Sequence, residues 1–174
     1  MIKQERIKTF FLYGVFICYI LLLIKILFLS RISNLDHRSI NLIPFYSIKE
    51  YLFSSSASIK KFAFGNVGGN IAIFIPLGAY LLLFKNNKRV ITNLLFVFIV
   101  SLFVEIIQGI FGIGASDIDD IILNCLGGLI GILGYKFFLF ILPDEKKVHT
   151  AIAILSAIAL PRILFYLFIM KMRF

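Results

Sequence analysis

Glu105, Gln108, Asp117, Asp119, Asp120 and Asn124 fall within a stretch of twenty residues, and that stretch holds four of the chain's nine acidic residues. The segments on either side of it are apolar. A carboxylate at the mouth of an apolar helix has lost water and needs a partner, a proton or a ligand in return. Several kinds of chemistry suit such a set. It can do acid–base work, hold a hard cation through its oxygens, or recognise an amine or a hydroxylated headgroup by hydrogen bonds. Nothing in it resembles a serine or cysteine nucleophile with a base. His37 and His149 have no partner at helical spacing, so no metal site is expected, and no cofactor motif is present. Cys18 and Cys125 are far apart inside apolar segments and read as packing residues rather than a disulfide or a metal pair.

The elements that must position these residues are membrane spans. Hydrophobic residues make up 60% of the chain, against about half in a soluble domain, and the mean hydropathy is +0.99. The expected fold class is all-α: a polytopic membrane protein of about five transmembrane helices, forming one integral membrane domain over residues 1–174. Spans are expected over Phe10–Leu29, Asn66–Phe84, Val90–Gln108, Asp119–Leu142 and His149–Met170. The first is too long for a signal-peptide core and ends in Ser30-Arg31, so it reads as an uncleaved anchor. Between the first two spans, Asn41-Leu42-Ile43-Pro44-Phe45 cannot be helical just before its proline. The mixture of charges and aromatics from Ser47 to Lys61 suggests an interfacial helix on the membrane surface. The net charge of +9 reports topology and anionic headgroups, not nucleic acid.

Alternation of spans places Asn66, Asn70, Glu105, Gln108, Asp120 and Asn124 at one membrane face. These six form the candidate pocket. Basic residues nearly balance between the two faces, but Lys3, Arg6, Lys8, Lys85, Lys88, Arg89, Lys146 and Lys147 are packed into short segments. The positive-inside rule acts most strongly on short segments, which puts the N-terminus in the cytoplasm and the acidic hairpin outside.

Each acid also has a structural reading. Ser116 with Asp119 three residues later fits a capping box, and Asp117 and Asp119 suit the positive end of a helix dipole. Asp120 and Asn124 are spaced i, i+4, and Gly127, Gly128, Gly131 and Tyr135 continue that stripe, so it reads as a helix–helix contact with polar groups at one end. Glu105 is explained least well by structure alone.

In this order and spacing the residues resemble the VanZ-like family of bacterial membrane proteins, whose best-known member is linked to teicoplanin resistance. The resemblance covers roughly residues 10–140, leaving an extra C-terminal helix at about 149–170. It rests on Asn41-Leu42-Ile43-Pro44-Phe45, Asn66 and Asn70 with Pro76-Leu77-Gly78, and Glu105-x-x-Gln108 followed by Asp117-Ile118-Asp119-Asp120, Asn124, Gly127 and Gly131. Many family members carry an arginine just before the acidic turn, where this chain has Gly114-Ala115-Ser116. Arg162, beside Pro161 in the last span, is the candidate charge partner in its place; the alternative is a snorkelling side chain.

The resemblance implies a cell-envelope role in the bacterial cytoplasmic membrane. Teicoplanin carries a fatty acyl tail, so membrane lipid, a lipid-linked cell-wall component or the glycopeptide itself are the expected partners. Three functions stay open: a non-catalytic envelope protein, a membrane enzyme with Glu105 and Asp120 as acid/base or cation-holding groups, and a small transporter using the same acids.

Overall fold

The computed structural model describes residues 2–29, 40–53, 57–84, 88–113, 116–142 and 144–172. Helix α1 (Ile2–Ile24) runs into a π-helical turn (Lys25–Leu29), followed by strand β1 (Ile40–Asn41), α2 (Tyr46–Phe53), α3 (Ala57–Phe84), α4 (Val90–Phe111), β2 (Ser116–Asp117), α5 (Ile118–Ile141) and α6 (Glu145–Met172). Among the described residues, four stretches are long and apolar enough to cross a membrane: Arg6–Phe28, Asn66–Phe84, Val90–Phe111 and Ile118–Ile141. The fifth long helix is α6, with 28 residues. The protein is an all-α membrane protein.

The helix carrying the second span starts earlier than its apolar core. It is helical from Ala57, although the apolar stretch begins at Asn66. Once a helix is nucleated, each further residue adds one hydrogen bond, and no proline precedes Pro76 in this segment. The interfacial helix expected over Ser47–Lys61 is therefore divided between α2 and the first turns of α3. Residues 30–39 and 54–56 of the expected interfacial segment lie outside the described residues, as do Gly114 and Ala115 of the acidic turn.

Helix α4 is inside-out relative to a helix of a soluble protein. Its buried face is Asn93, Val97, Ser101, Val104, Glu105 and Gln108, whereas Leu95, Phe98, Ile99, Phe103 and Ile110 are exposed. Lipid solvates the apolar side chains, and polar groups must turn inward to find partners. The described chain forms two compact units, Leu23–Lys136 and Met1–Leu22 with Phe137–Phe174. In the second of these, Lys8 Nζ donates to Thr150 Oγ1 at 3.2 Å, joining α1 to α6.

The Leu23–Lys136 unit is a bundle of α3, α4 and α5 whose backbones nearly touch. A Cβ on Gly127 would overlap the Ile71 carbonyl, one on Gly131 the Ile75 carbonyl, and one on Gly78 the carbonyl of Gly128. Gly128 also faces Val97 of α4. Small residues allow this approach, and van der Waals contact rewards it where lipid supplies no hydrophobic drive.

Candidate functional site

The acidic stretch begins where α4 ends. Gly112 adopts φ 65°, a left-handed conformation that glycine takes without strain, and the Ile113 amide returns to Gln108 O at 3.0 Å. The chain turns here and forms β2, which pairs in parallel with β1 in the register Ile40–Ser116 and Asn41–Asp117. Two distant segments are thereby joined at the start of α5.

Asp117 and Asp119 hold this junction. Asp117 Oδ1 accepts the Asp119 amide at 2.9 Å and Asn41 Nδ2 at 3.2 Å, and its Oδ2 accepts the Ser47 hydroxyl. The first of these bonds is an N-cap of α5. Asp119 does not cap its own helix. Its Oδ1 accepts the Phe45 amide at 2.5 Å and its Oδ2 the Ile48 amide at 3.1 Å, so it satisfies the free N–H groups at the start of α2. The capping box expected between Ser116 and Asp119 is not formed. Ser116 Oγ donates instead to Glu105 O at 3.2 Å, because β2 pairing fixes Ser116 as extended backbone against the end of α4.

Behind this junction lies a buried polar layer. Glu105 Oε2 accepts the Asp117 amide at 2.9 Å. Asn70 Nδ2 donates to Asp120 Oδ1 at 2.5 Å and ties α3 to α5. One turn along α5, Asn124 Nδ2 donates to Ser101 Oγ at 2.9 Å and ties α5 to α4. Gln108 Nε2 donates to Leu27 O at 2.8 Å, a carbonyl of the π-helical turn, where the wider winding changes which donors the backbone oxygens meet. Asn70, Glu105, Gln108, Asp120 and Asn124 are all buried; Asn66 is half-buried one turn before Asn70. Two acceptors in this layer, Gln108 Oε1 and Asn124 Oδ1, have no hydrogen-bond partner among the described residues. Arg162 is an exposed residue of α6.

Sequence reasoning left out Ser101, Asn41 and Ser47 of this arrangement, and Lys88 elsewhere in the bundle. Ser101 lies one turn before Glu105 on the same face of α4, and that i, i+4 spacing was the signal available. Asn41 was noted in a motif and not as a site residue; it also caps its own loop, its Oδ1 accepting the Ile43 amide at 3.1 Å. Lys88 works at the other end of the bundle. Its Nζ donates to the Leu82 carbonyl at the end of α3 and to Tyr135 Oη at 3.3 Å, with the ring centroid 5.0 Å away.

The four acids of this stretch are hydrogen-bonded within the chain. Asp117, Asp119, Glu105 and Asp120 each accept at least one N–H or O–H from within the chain. Among the described residues, no group of three or more His, Cys, Asp or Glu side chains converges as a metal site would require.

A family model described as VanZ/LLP1 matches residues 16–140. A curated relative, "Protein VanZ" of Enterococcus faecium, is 38% identical over 106 residues, which is 60% of this chain and 56% of the relative. The chain thus spans about half the length of that relative. No solved structure matches the chain at a significant level.

Proposed function

This chain belongs to the VanZ/LLP1 family, and from that premise we propose that it is a non-catalytic membrane protein of the bacterial cell envelope that gives low-level tolerance to teicoplanin-type lipoglycopeptides. The observation that carries the non-catalytic reading is the use of the acids. Asp117 and Asp119 are engaged in joining β1 and α2 to α5, and Asn70 is bonded to Asp120 inside the bundle. Carboxylates used in this way rigidify one arrangement of helices. The partner in this reading is membrane lipid or a lipid-linked cell-wall component, met at the outer leaflet. The orientation that goes with it has the N-terminus in the cytoplasm and the acidic turn outside.

The test is expression in a susceptible host lacking its own copy. Tolerance should rise for teicoplanin and stay unchanged for a glycopeptide without an acyl tail. No change for teicoplanin, with the protein present in the membrane, rejects the proposal.

A second reading is a membrane enzyme acting on a lipid-linked or glycan substrate, with Glu105 and Asp120 as acid/base groups. One observation favours it: Gln108 Oε1 and Asn124 Oδ1, both buried, have no partner among the described residues and would accept a donor. Under this reading Glu105→Gln and Asp120→Asn abolish activity while the protein accumulates normally. Under the first reading the same variants lose stability in step with any loss of tolerance.

A further inference from the structure

The loop between β1 and α2 presents a row of side chains that a water-exposed loop would not. Leu42 and Ile43 are 71% and 64% exposed, and Phe45 and Tyr46 are 50% and 53% exposed. Pro44 between them is exposed as well. The backbone beneath this row is fixed at several points. Asn41 pairs with Asp117 in the β1–β2 ladder, and its side chain holds both Asp117 and Ser47. The amides of Phe45 and Ile48 are held by the Asp119 carboxylate.

These attachments tie the row to the turn between two apolar spans. The apolar spans of α4 and α5 end at Phe111 and begin at Ile118, so β2 is part of the short turn between two spans. Asp119 is already inside the α5 span, and Phe45 is bonded to it directly. The loop therefore lies beside the first turn of an apolar span rather than standing out into water. The last two turns of α4, at the same end of the bundle, also expose apolar side chains, Ile106, Ile110 and Phe111.

We infer that Leu42–Tyr46 is a wedge seated in the protein's own bilayer, its side chains at the boundary between headgroups and acyl chains. Lipid is the occupant that fits. Apolar and tyrosine side chains are at home at this depth, and Lys49, exposed in α2, lies close enough in sequence to meet an anionic headgroup. The wedge is also connected inward: Asn41 bonds the Asp117 carboxylate, and the Asp117 amide bonds Glu105. A displacement of the lipid surface is thus two hydrogen bonds from the buried acid.

The chain contains no tryptophan, so one introduced indole reports its own surroundings without background. Ile43→Trp and, separately, Leu42→Trp are reconstituted into phosphatidylglycerol–phosphatidylcholine vesicles. In both, emission should be blue-shifted. Lipids brominated near the headgroup end of the acyl chain should quench it more strongly than lipids brominated near the terminal methyl, and iodide should have little effect. A red-shifted emission quenched by iodide overturns the inference. So does a blue-shifted emission that neither brominated lipid quenches, because the indole is then covered by protein. Stronger quenching by the deep bromines also overturns it. Two positions guard against one variant that fails to fold, which size-exclusion behaviour in detergent reveals beforehand.

Discussion

The carboxylate of Asp119, in the first turn of α5, accepts the amide hydrogen of Ile48 in α2 at 3.1 Å, across 71 residues of sequence. With the Phe45 amide on its other oxygen, it serves as the N-terminal cap of a helix that its own chain segment does not contain. Asp119→Ala should cost about 0.5–2 kcal/mol, the range for a lost N-cap. The loss should be local. Hydrogen exchange at Phe45 and Ile48 should accelerate while amides in the middle of α5 keep their protection. Uniform acceleration through α5 would mean that Asp119 caps its own helix after all.

Asn70 and Asp120 form a pair inside the bundle, 2.5 Å apart and both buried. Removing Asp120 leaves the buried Asn70 amide without this acceptor, and removing Asn70 takes one donor from the buried Asp120; losing a hydrogen bond to a buried group costs about 1–3 kcal/mol. Asn70→Leu and Asp120→Leu should each destabilise the protein in a denaturation series in detergent. The double variant should lose clearly less than the sum, since the bond the two share can be lost only once. Additive losses would show that the two side chains do not depend on each other.

The bundle glycines differ sharply from those elsewhere. A Cβ on Gly131 overlaps the Ile75 carbonyl, whereas one on Gly134, one turn on, meets nothing within 4 Å. Gly131→Ala should cost about 1–3 kcal/mol, as overpacking does. Gly134→Ala should be neutral or gain a little, because alanine favours helix. Thermal melting of the two purified variants checks the contrast.

At the opposite end of the bundle, Lys88 binds the end of α3 and lies over Tyr135. Lys88→Met keeps the aliphatic stem and removes the donor. It should cost about 1 kcal/mol, with Tyr135→Phe costing less because the Leu82 carbonyl keeps its partner. A larger loss in Tyr135→Phe would place the weight on the hydroxyl rather than on the helix end.

The spans were legible because lipid imposes a length and a composition that any window along the chain registers. The polar face of α4 was legible from Glu105 and Gln108 at helical spacing. The ends of elements were harder. The start of α3 at Ala57 follows from helix propagation, which hydropathy does not see. The partners of Asp119 come from a segment more than seventy residues away, so its local sequence suggested a cap of its own helix and gave no sign of the helix it does cap. The π-helical turn at Lys25–Leu29 has no proline or glycine to announce it; what it supplies, a carbonyl for Gln108, is visible only once α4 is packed against it.

Drug tolerance and protein level are measured together. A susceptible host expressing the wild-type chain or Asp120→Asn is assayed against teicoplanin and against a glycopeptide without an acyl tail, with membrane protein quantified in each. The expected result is tolerance to teicoplanin alone for the wild type, and a loss of tolerance in Asp120→Asn that tracks a loss of folded protein. Full accumulation of Asp120→Asn with no tolerance would contradict the non-catalytic account. Equal tolerance to both drugs, or to neither, would contradict the proposed role itself.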